Sequence, residues 1–148
     1  MTTKPVVSLR QRALNALSRR EYSRRELQHK LAGFAEEGDD IEALLDDLQR
    51  RKWLSDERFT EQVIHARQSR QGSMKIAHEL REKGVAEDVV ASALANVDDL
   101  QNAKVVWQKK FDSVPKTPVD WAKQARFLQS RGFSFDVIKR VLNDAPKE

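Results

Sequence analysis

Apolar residues recur at intervals of three and four along most of the chain. One segment with this spacing is Ile41, Leu44, Leu45 and Leu48, and Phe59 and Val63 begin another. Such spacing places the side chains on one face of an α-helix. No segment alternates between apolar and polar residues for long enough to predict a strand. The pattern therefore predicts an all-α protein.

Capping residues mark where the predicted helices begin and end. Ser23 precedes Glu26 at the spacing of a capping box. Thr117 is a predicted N-cap, followed by Pro118 at the first position of the helix. Gly84 and Gly132 stand where a helix end favours a left-handed residue. Together these signals predict about nine helices, over residues 9–20, 23–33, 39–52, 55–70, 73–83, 86–96, 98–112, 118–131 and 134–143.

The predicted helices fall into three groups of three, each of about 45 residues, which is a length typical of helical repeats. The third helices begin near residues 39, 86 and 134, which is a regular interval. A three-helix unit of this size buries little surface by itself, so neighbouring units are expected to stack into an elongated array. The predicted repeats cover residues 9–53, 54–97 and 98–144, between flexible ends at residues 1–8 and 145–148.

Charge alternates in blocks along the chain, although the net charge is only +4. Residues 1–30 hold 8 basic and 2 acidic side chains, and residues 31–63 hold 4 and 10. Residues 64–83 hold 5 basic and 2 acidic side chains, residues 84–103 hold 0 basic and 4 acidic, and residues 104–148 hold 10 basic and 5 acidic. Such blocks can pair with one another inside the fold or present separate patches to a partner. A uniformly basic clamp for DNA would not need the acidic blocks.

The residues needed for common enzyme chemistry are missing. Cysteine is absent, which excludes disulfides, thiol catalysis and cysteine-ligated zinc. His29, His65 and His78 fall on three separate predicted helices, and no glycine-rich phosphate loop occurs. We therefore expect a protein that is not an enzyme and holds no cofactor or metal. No apolar run approaches the ~18 residues of a membrane span, and no signal peptide is evident, so a cytoplasmic protein is expected.

Aromatic residues give two further expectations. Trp53, Trp107 and Trp121 lie at or near apolar stripes, so they are expected to anchor the core. Phe135 directly follows the predicted cap Ser134. If Phe135 faces solvent, it becomes a candidate contact for a partner.

The segment from Arg67 to Val85 is the most informative part of the chain. Its basic residues surround a predicted helix–helix corner at Gly72. Within the second helix of this corner, Glu79 and Lys83 have the i, i+4 spacing of an ion pair, and Ile76 and Leu80 are expected to be buried. The basic residues form either a solvated face or a surface that binds a partner.

Four sequence motifs occur in order along the chain. They are YSRRELQHKL at residues 22–31, WLSDERF at 53–59, RQSRQGSMKIAHELREKGV at 67–85 and RGFSFDVI at 131–138. With these motifs the chain resembles the RecX family, bacterial regulators of the RecA recombinase, over nearly its whole length. The resemblance implies tandem three-helix repeats. It also implies binding to RecA, especially RecA assembled on single-stranded DNA, with inhibition of recombinase, ATPase and co-protease activities.

The expected partner is therefore the RecA filament, and the expected role lies in DNA repair, recombination and the SOS response. An alternative is a stand-alone DNA-binding protein that presents basic corners like those of a helix–turn–helix to single- or double-stranded DNA. We expect a monomer with no membrane contact. The candidate partner-binding residues are Arg24, Arg25, Arg67, Arg70, Lys75, Arg81, Lys83, Arg126, Arg131, Lys139 and Arg140.

Overall fold

The computed structural model describes residues 7–143, so the expected flexible ends lie outside the described residues except for Val7 and Ser8. The described residues form nine α-helices and no strand, and the predicted all-α fold is confirmed. The helices are α1 Leu9–Leu17, α2 Arg24–Ala32, α3 Ile41–Arg50, α4 Asp56–Arg67, α5 Ser73–Glu82, α6 Glu87–Leu94, α7 Asp99–Lys110, α8 Pro118–Ser130 and α9 Phe135–Asn143.

The predicted helix caps are present. The Ser23 hydroxyl accepts a hydrogen bond from the Glu26 N–H, and the Glu26 carboxylate accepts one from the Ser23 N–H, both at 3.1 Å. Thr117 caps α8, which begins at Pro118. Gly84 and Gly132 have φ angles of 80° and 92°, which confirms the left-handed conformation expected at these helix ends.

Several helices end earlier than predicted because the chain tightens or straightens at their ends. The helix predicted over residues 55–70 ends at Arg67, since the Arg70 N–H bonds to the Arg67 carbonyl, three residues back, at 2.9 Å. The helix predicted over residues 98–112 ends at Lys110, because Phe111 is extended (φ −122°, ψ 140°). Helix ends commonly tighten or fray in this way, so the predicted ends overshoot by two to three residues here.

Each group of three helices has its own apolar core. Leu27 and Leu45 belong to the first core, Leu80 to the second, and Leu128 and Phe133 to the third, and all five are buried. The main helix-to-helix packing runs within each group. The chain is therefore an array of three tandem three-helix repeats, as its sequence predicts.

The junctions between the repeats are largely polar. Glu21 and Arg58 form an ion pair of 3.0 Å between the first and second repeats. At the second junction, the Gly72 N–H donates to the Arg131 carbonyl at 2.7 Å. A Cβ at Gly72 would lie 2.5 Å from the Gly132 carbonyl oxygen, so only glycine permits this close approach of the two backbones.

The tryptophans depart in part from expectation. Trp53 is 45% exposed, with the Arg51 guanidinium 5.2 Å from its ring centroid, so its assignment to the core was wrong. It follows Lys52, whose left-handed conformation (φ 61°) turns the chain at the end of α3. Trp107 and Trp121 are half-buried, and their indole N–H groups donate to Gln124 and Asn143.

Candidate partner-binding surfaces

Arg24 ties two helices of the first repeat together. Its guanidinium lies 2.8 Å from the Glu42 carboxylate and 2.7 Å from that of Asp46, both on α3. Burial by itself would lower the pKa of Arg24, but the two carboxylates outweigh burial and raise it. The charge of this candidate residue is therefore compensated within the repeat.

At the central corner, the ion pairs differ from those expected. Arg67 on α4 binds Glu79 on α5, with 3.1 Å between Nε and Oε1. Lys83 instead approaches Glu26 of the first repeat at 3.5 Å. The expected i, i+4 pair of Glu79 with Lys83 was therefore wrong, because the fold brings each of them closer to a partner distant in sequence.

Arg81 also has a partner within the chain. Its guanidinium lies 2.7 Å from the Glu87 carboxylate. The hydrogen bond between them raises the pKa of Arg81 and lowers that of Glu87. Both side chains are more than half exposed, so this pair stabilises the fold little.

Arg25 and Lys75 lie at the junctions between repeats. The Arg25 side chain packs over Gly84, where an added Cβ would lie 2.8 Å from Nε. Lys75 packs over Gly132 in the same manner, and its Nζ lies 3.5 Å from the Ser130 carbonyl. Both residues therefore contribute to how successive repeats meet, whatever else they bind.

An apolar groove of about 480 Å³, which we call the third-repeat groove, is formed mainly by the third repeat, with Met74 contributed by α5 of the second. Met74 and Phe135, which are 61% and 60% exposed, stand on its surface. Trp121 meets Phe135 edge to face at 6.2 Å between ring centroids. Arg126 also lines the groove, and the Lys139 ammonium lies 5.0 Å from the Phe135 ring centroid. The exposure that would make Phe135 a candidate contact is therefore present.

Lys139 and Arg140 continue the basic character beside this groove. They lie next to each other on α9, and both are exposed. With Asp136 and Asn143 they line a shallow depression on the same helix. These two candidate residues therefore lie on the helix that also carries Phe135.

A second concave surface combines four cations and one aromatic ring. Arg70, Lys109, Lys110 and Arg131 surround Phe127 in a recess of about 220 Å³, which we call the basic recess. Arg70 and Arg131 were among the candidates predicted from the sequence, whereas the two lysines and Phe127 were not. Adjacent lysines at the end of a predicted helix were the available signal, but their approach to Arg70 arises only in the folded chain.

These features define a class: an all-α tandem-repeat protein with a groove and a basic recess suited to binding. Three family models match successive parts of the chain and are described as the first, second and third three-helix domains of RecX. They match residues 10–48, 55–94 and 97–142. The chain belongs to the RecX family.

Bacterial relatives are similar to this chain over most of their length. The chain is 44% identical to the regulatory protein RecX of Chromobacterium violaceum over 135 residues, which cover 91% of this chain and 89% of the relative. It is 43% identical to the regulatory protein RecX of Ralstonia nicotianae over 141 residues, which cover 94% and 89%. The family is therefore that of a regulatory protein.

Solved structures show the same fold. The crystal structure of RecX from Lactobacillus salivarius superposes with a TM-score of 0.81 at 20% identity, covering 92% of this chain and 93% of the other. A second crystal structure, of a regulatory protein RecX, gives a TM-score of 0.79 at 22% identity and covers 92% and 71%. Within residues 7–143, no helix is both long and apolar enough to cross a membrane.

Proposed function

We propose that this protein is a non-enzymatic regulator that binds RecA, mainly the RecA–single-stranded DNA filament, and inhibits its recombinase, ATPase and co-protease activities. The observation that carries the proposal is the match of all three repeats to the RecX family. Such a regulator would act in the cytoplasm, in DNA repair, recombination and the SOS response.

We assign the principal protein contact to the third-repeat groove. Aromatic residues, methionine and arginine are enriched at protein interfaces, and contiguous exposed apolar patches mark binding sites. Phe135, Met74 and Arg126 combine these properties within one concave surface. Lys139 and Arg140 supply positive charge beside it, which suits an acidic rim on the partner.

Four of the other basic candidates are already paired within the chain. Arg24, Arg67, Arg81 and Lys83 already bind carboxylates of this chain. A partner would have to replace those ion pairs, which reduces the net gain from a new contact. We therefore propose that these four residues act mainly within the fold and that the third repeat provides the stronger contacts.

The repeat architecture supports simultaneous contact with more than one RecA protomer. Separate cores joined by polar junctions give an extended array whose two ends can reach different protomers. Docking on adjacent protomers makes the second contact intramolecular, which increases its effective concentration. This arrangement would favour the filament over free RecA.

The proposal is tested by adding the full chain to preformed RecA–single-stranded DNA filaments and following ATP hydrolysis. We expect hydrolysis to fall as the chain is added, with strand exchange falling in parallel. The heat-unfolded chain at equal concentration serves as a control for non-specific effects. An unchanged rate at micromolar concentrations of the folded chain would contradict the proposal.

A further inference from the structure

The basic recess combines side chains from the second and third repeats. Lys109 and Lys110 lie in the last turn of α7, Arg131 caps the end of α8, and Arg70 follows α4. No acidic residue lines the recess among the described residues. None of the four cations forms an ion pair with a carboxylate in the described part of the chain, in contrast to Arg67 a few residues away.

The stability of the helices can explain why each cation stands where it does, but it does not explain why the four cations lie around one recess. A cation near a helix C-terminus interacts favourably with the helix dipole, which would account for Lys109, Lys110 and Arg131 one at a time. Four positive charges around one recess of about 220 Å³ also repel one another. A bound anion would relieve this repulsion, and the helix dipoles do not require the cations to meet.

Phe127 holds part of the recess in a defined arrangement. The Arg131 guanidinium carbon lies 5.1 Å from the Phe127 ring centroid, and the Lys110 ammonium lies 5.8 Å from it. Phe111 supports the ring edge to face at 5.4 Å between centroids. Because cation–π contacts reduce the freedom of both cations before a ligand arrives, less conformational freedom is lost on binding.

We propose that the basic recess binds phosphate groups, and that their source is the backbone of single-stranded nucleic acid, bound by this chain without RecA. A carboxylate is planar and is satisfied by one arginine fork, whereas a phosphate accepts hydrogen bonds from several directions. Donors from three helix ends suit the phosphate. A flexible strand can direct a phosphate into a small concave recess, and aromatic and arginine side chains beside it suit unstacked bases.

The test measures binding of a fluorescent oligothymidylate of about 20 nucleotides, long enough to exceed a typical single-strand site, by anisotropy with RecA absent. The informative variant is Lys109→Ala/Lys110→Ala. We expect its affinity to fall about tenfold at low salt. The slope of log K against log salt should fall by about 1.4, since each phosphate contact with a single strand contributes about 0.7.

The matched control is Lys104→Ala/Lys123→Ala. It removes the same charge from exposed positions on the same helices, α7 and α8, outside the recess. We expect its affinity to stay within about twofold of the unaltered chain, because it leaves all four cations of the recess in place and loses only long-range attraction. Equal weakening by both double variants would overturn the proposal, since net charge alone would then explain binding.

A second variant guards against loss of helix stability. Arg70→Ala changes an exposed residue of the α4–α5 corner, outside any helix, and should lower the salt slope by about 0.7. An unchanged slope in this variant would count against the recess as the site.

Two competitors identify the ligand class at matched ionic strength. Inorganic phosphate should displace the oligothymidylate weakly, and polyglutamate should displace it no more effectively than phosphate does. If polyglutamate displaces the strand more effectively than phosphate, the recess binds acidic protein segments and the proposal is wrong. If phosphate protects the recess lysines from acylation but the oligothymidylate does not bind, the recess binds free phosphate. The assignment to single-stranded nucleic acid is then wrong. Because RecA is absent throughout, failure here leaves the proposed RecA regulation to its own test.

Discussion

The backbone N–H of Arg24 donates a 2.8 Å hydrogen bond to the carboxylate of Asp56 across the first repeat junction. The same relationship recurs at the second junction, where the Ser73 N–H lies 3.1 Å from a carboxylate oxygen of Asp99. Each donor is the first residue of a repeat's second helix, and each acceptor is the first residue of the next repeat's first helix. At each junction, therefore, one carboxylate joins the beginnings of two helices.

This recurring contact sets orientation at some energetic cost. Burial raises the pKa of Asp56, and the hydrogen bond from the Arg24 N–H only partly opposes that effect. A partly buried carboxylate stabilises a junction less than an apolar contact of equal size, but it has a directional requirement. The junctions therefore fix how the repeats meet, while the three cores supply most of the stability.

The change Asp99→Ala should weaken the second junction. It leaves the Ser73 N–H and hydroxyl without the carboxylate, and the cost should resemble the loss of a helix cap, about 0.5–2 kcal/mol. Amide hydrogen exchange should become faster at Ser73. Asp99→Asn is the comparison, because its side-chain oxygen can still accept the bond. Equal acceleration of exchange in both variants would indicate that the contact is not maintained in solution.

The change Leu80→Ala should destabilise the second repeat strongly. Leu80 is fully buried among Ile76, Val85 and Val90, and removing such a leucine costs roughly 2–5 kcal/mol. Urea unfolding followed by circular dichroism measures the loss. Val119→Ala, at a position 77% exposed, is the control and should change stability by less than about 0.5 kcal/mol. Similar losses for both variants would contradict the assignment of Leu80 to the core.

Local features of the fold could be predicted from the sequence because their causes lie within a few residues. The capping box joins Ser23 to Glu26, and the left-handed turn at Gly132 depends on one residue type. The i, i+3 and i, i+4 apolar spacing likewise identifies each helix and its buried face. These signals predict the number of helices in the described residues and their grouping in threes.

The binding surfaces could be predicted only in part, because their residues meet through tertiary structure. Lys83 contacts Glu26, which lies in the preceding repeat. Local i, i+4 spacing therefore predicted Glu79 as the partner of Lys83 instead. Lys109 and Arg70 meet in the recess only after two repeats dock. For Phe135, the position after a cap made it a candidate contact on the condition that it faces solvent, and its 60% exposure meets that condition.

Stability should decrease in acid partly through Glu26. Burial would raise the pKa of Glu26, but Arg20, the Ser23 N–H and Lys83 outweigh burial and lower it. A carboxyl whose pKa is lower when folded contributes stability above its unfolded pKa of about 4.3, and that contribution is lost as pH falls through the folded value. Glu26→Gln should therefore make stability less dependent on pH below about 5.

The measurement for Glu26 is urea unfolding at a series of pH values from neutral to acid. Glu61→Gln is the matched control, since Glu61 is exposed on α4 and belongs to none of the ion pairs in the described residues. The control should keep the pH dependence of the unaltered chain. A Glu26→Gln curve that falls as steeply as the control would show that the Arg20 and Lys83 contacts do not persist in solution.

The change Phe135→Ala should weaken inhibition of RecA while leaving the fold intact. Phe135 is 60% exposed, so its removal leaves the third core unchanged, but it removes the main exposed ring of the third-repeat groove. If Phe135 is a hot spot of the interface, its truncation should cost about 2 kcal/mol or more, about thirtyfold in affinity. The measurement is the concentration of chain that halves ATP hydrolysis by RecA filaments.

Val119→Ala is again the control for Phe135→Ala, because it removes an exposed apolar side chain of the same repeat outside the groove. It should inhibit as the unaltered chain does. If Phe135→Ala also inhibits at full strength, the principal contact lies elsewhere on the protein.

Two-ended engagement of the filament depends on having all three repeats. A chain ending at Val97 keeps the first two cores complete. It loses the Asp99 carboxylate that binds Ser73 and the Arg131 carbonyl that binds Gly72, so the end of the second repeat should become more mobile. Because repeat arrays are stabilised by each unit and its neighbours, the remaining pair should still form helices.

The truncated chain should therefore remain helical by circular dichroism yet inhibit RecA far more weakly. It lacks the third-repeat groove, and losing one of two linked contacts reduces apparent affinity on the order of 100-fold. The full chain should prefer filaments to free RecA, and the truncated chain should lose that preference because one end cannot bridge protomers. Full inhibition by residues 1–97 at unchanged concentration would contradict the bridging arrangement and place the effective contact within the first two repeats.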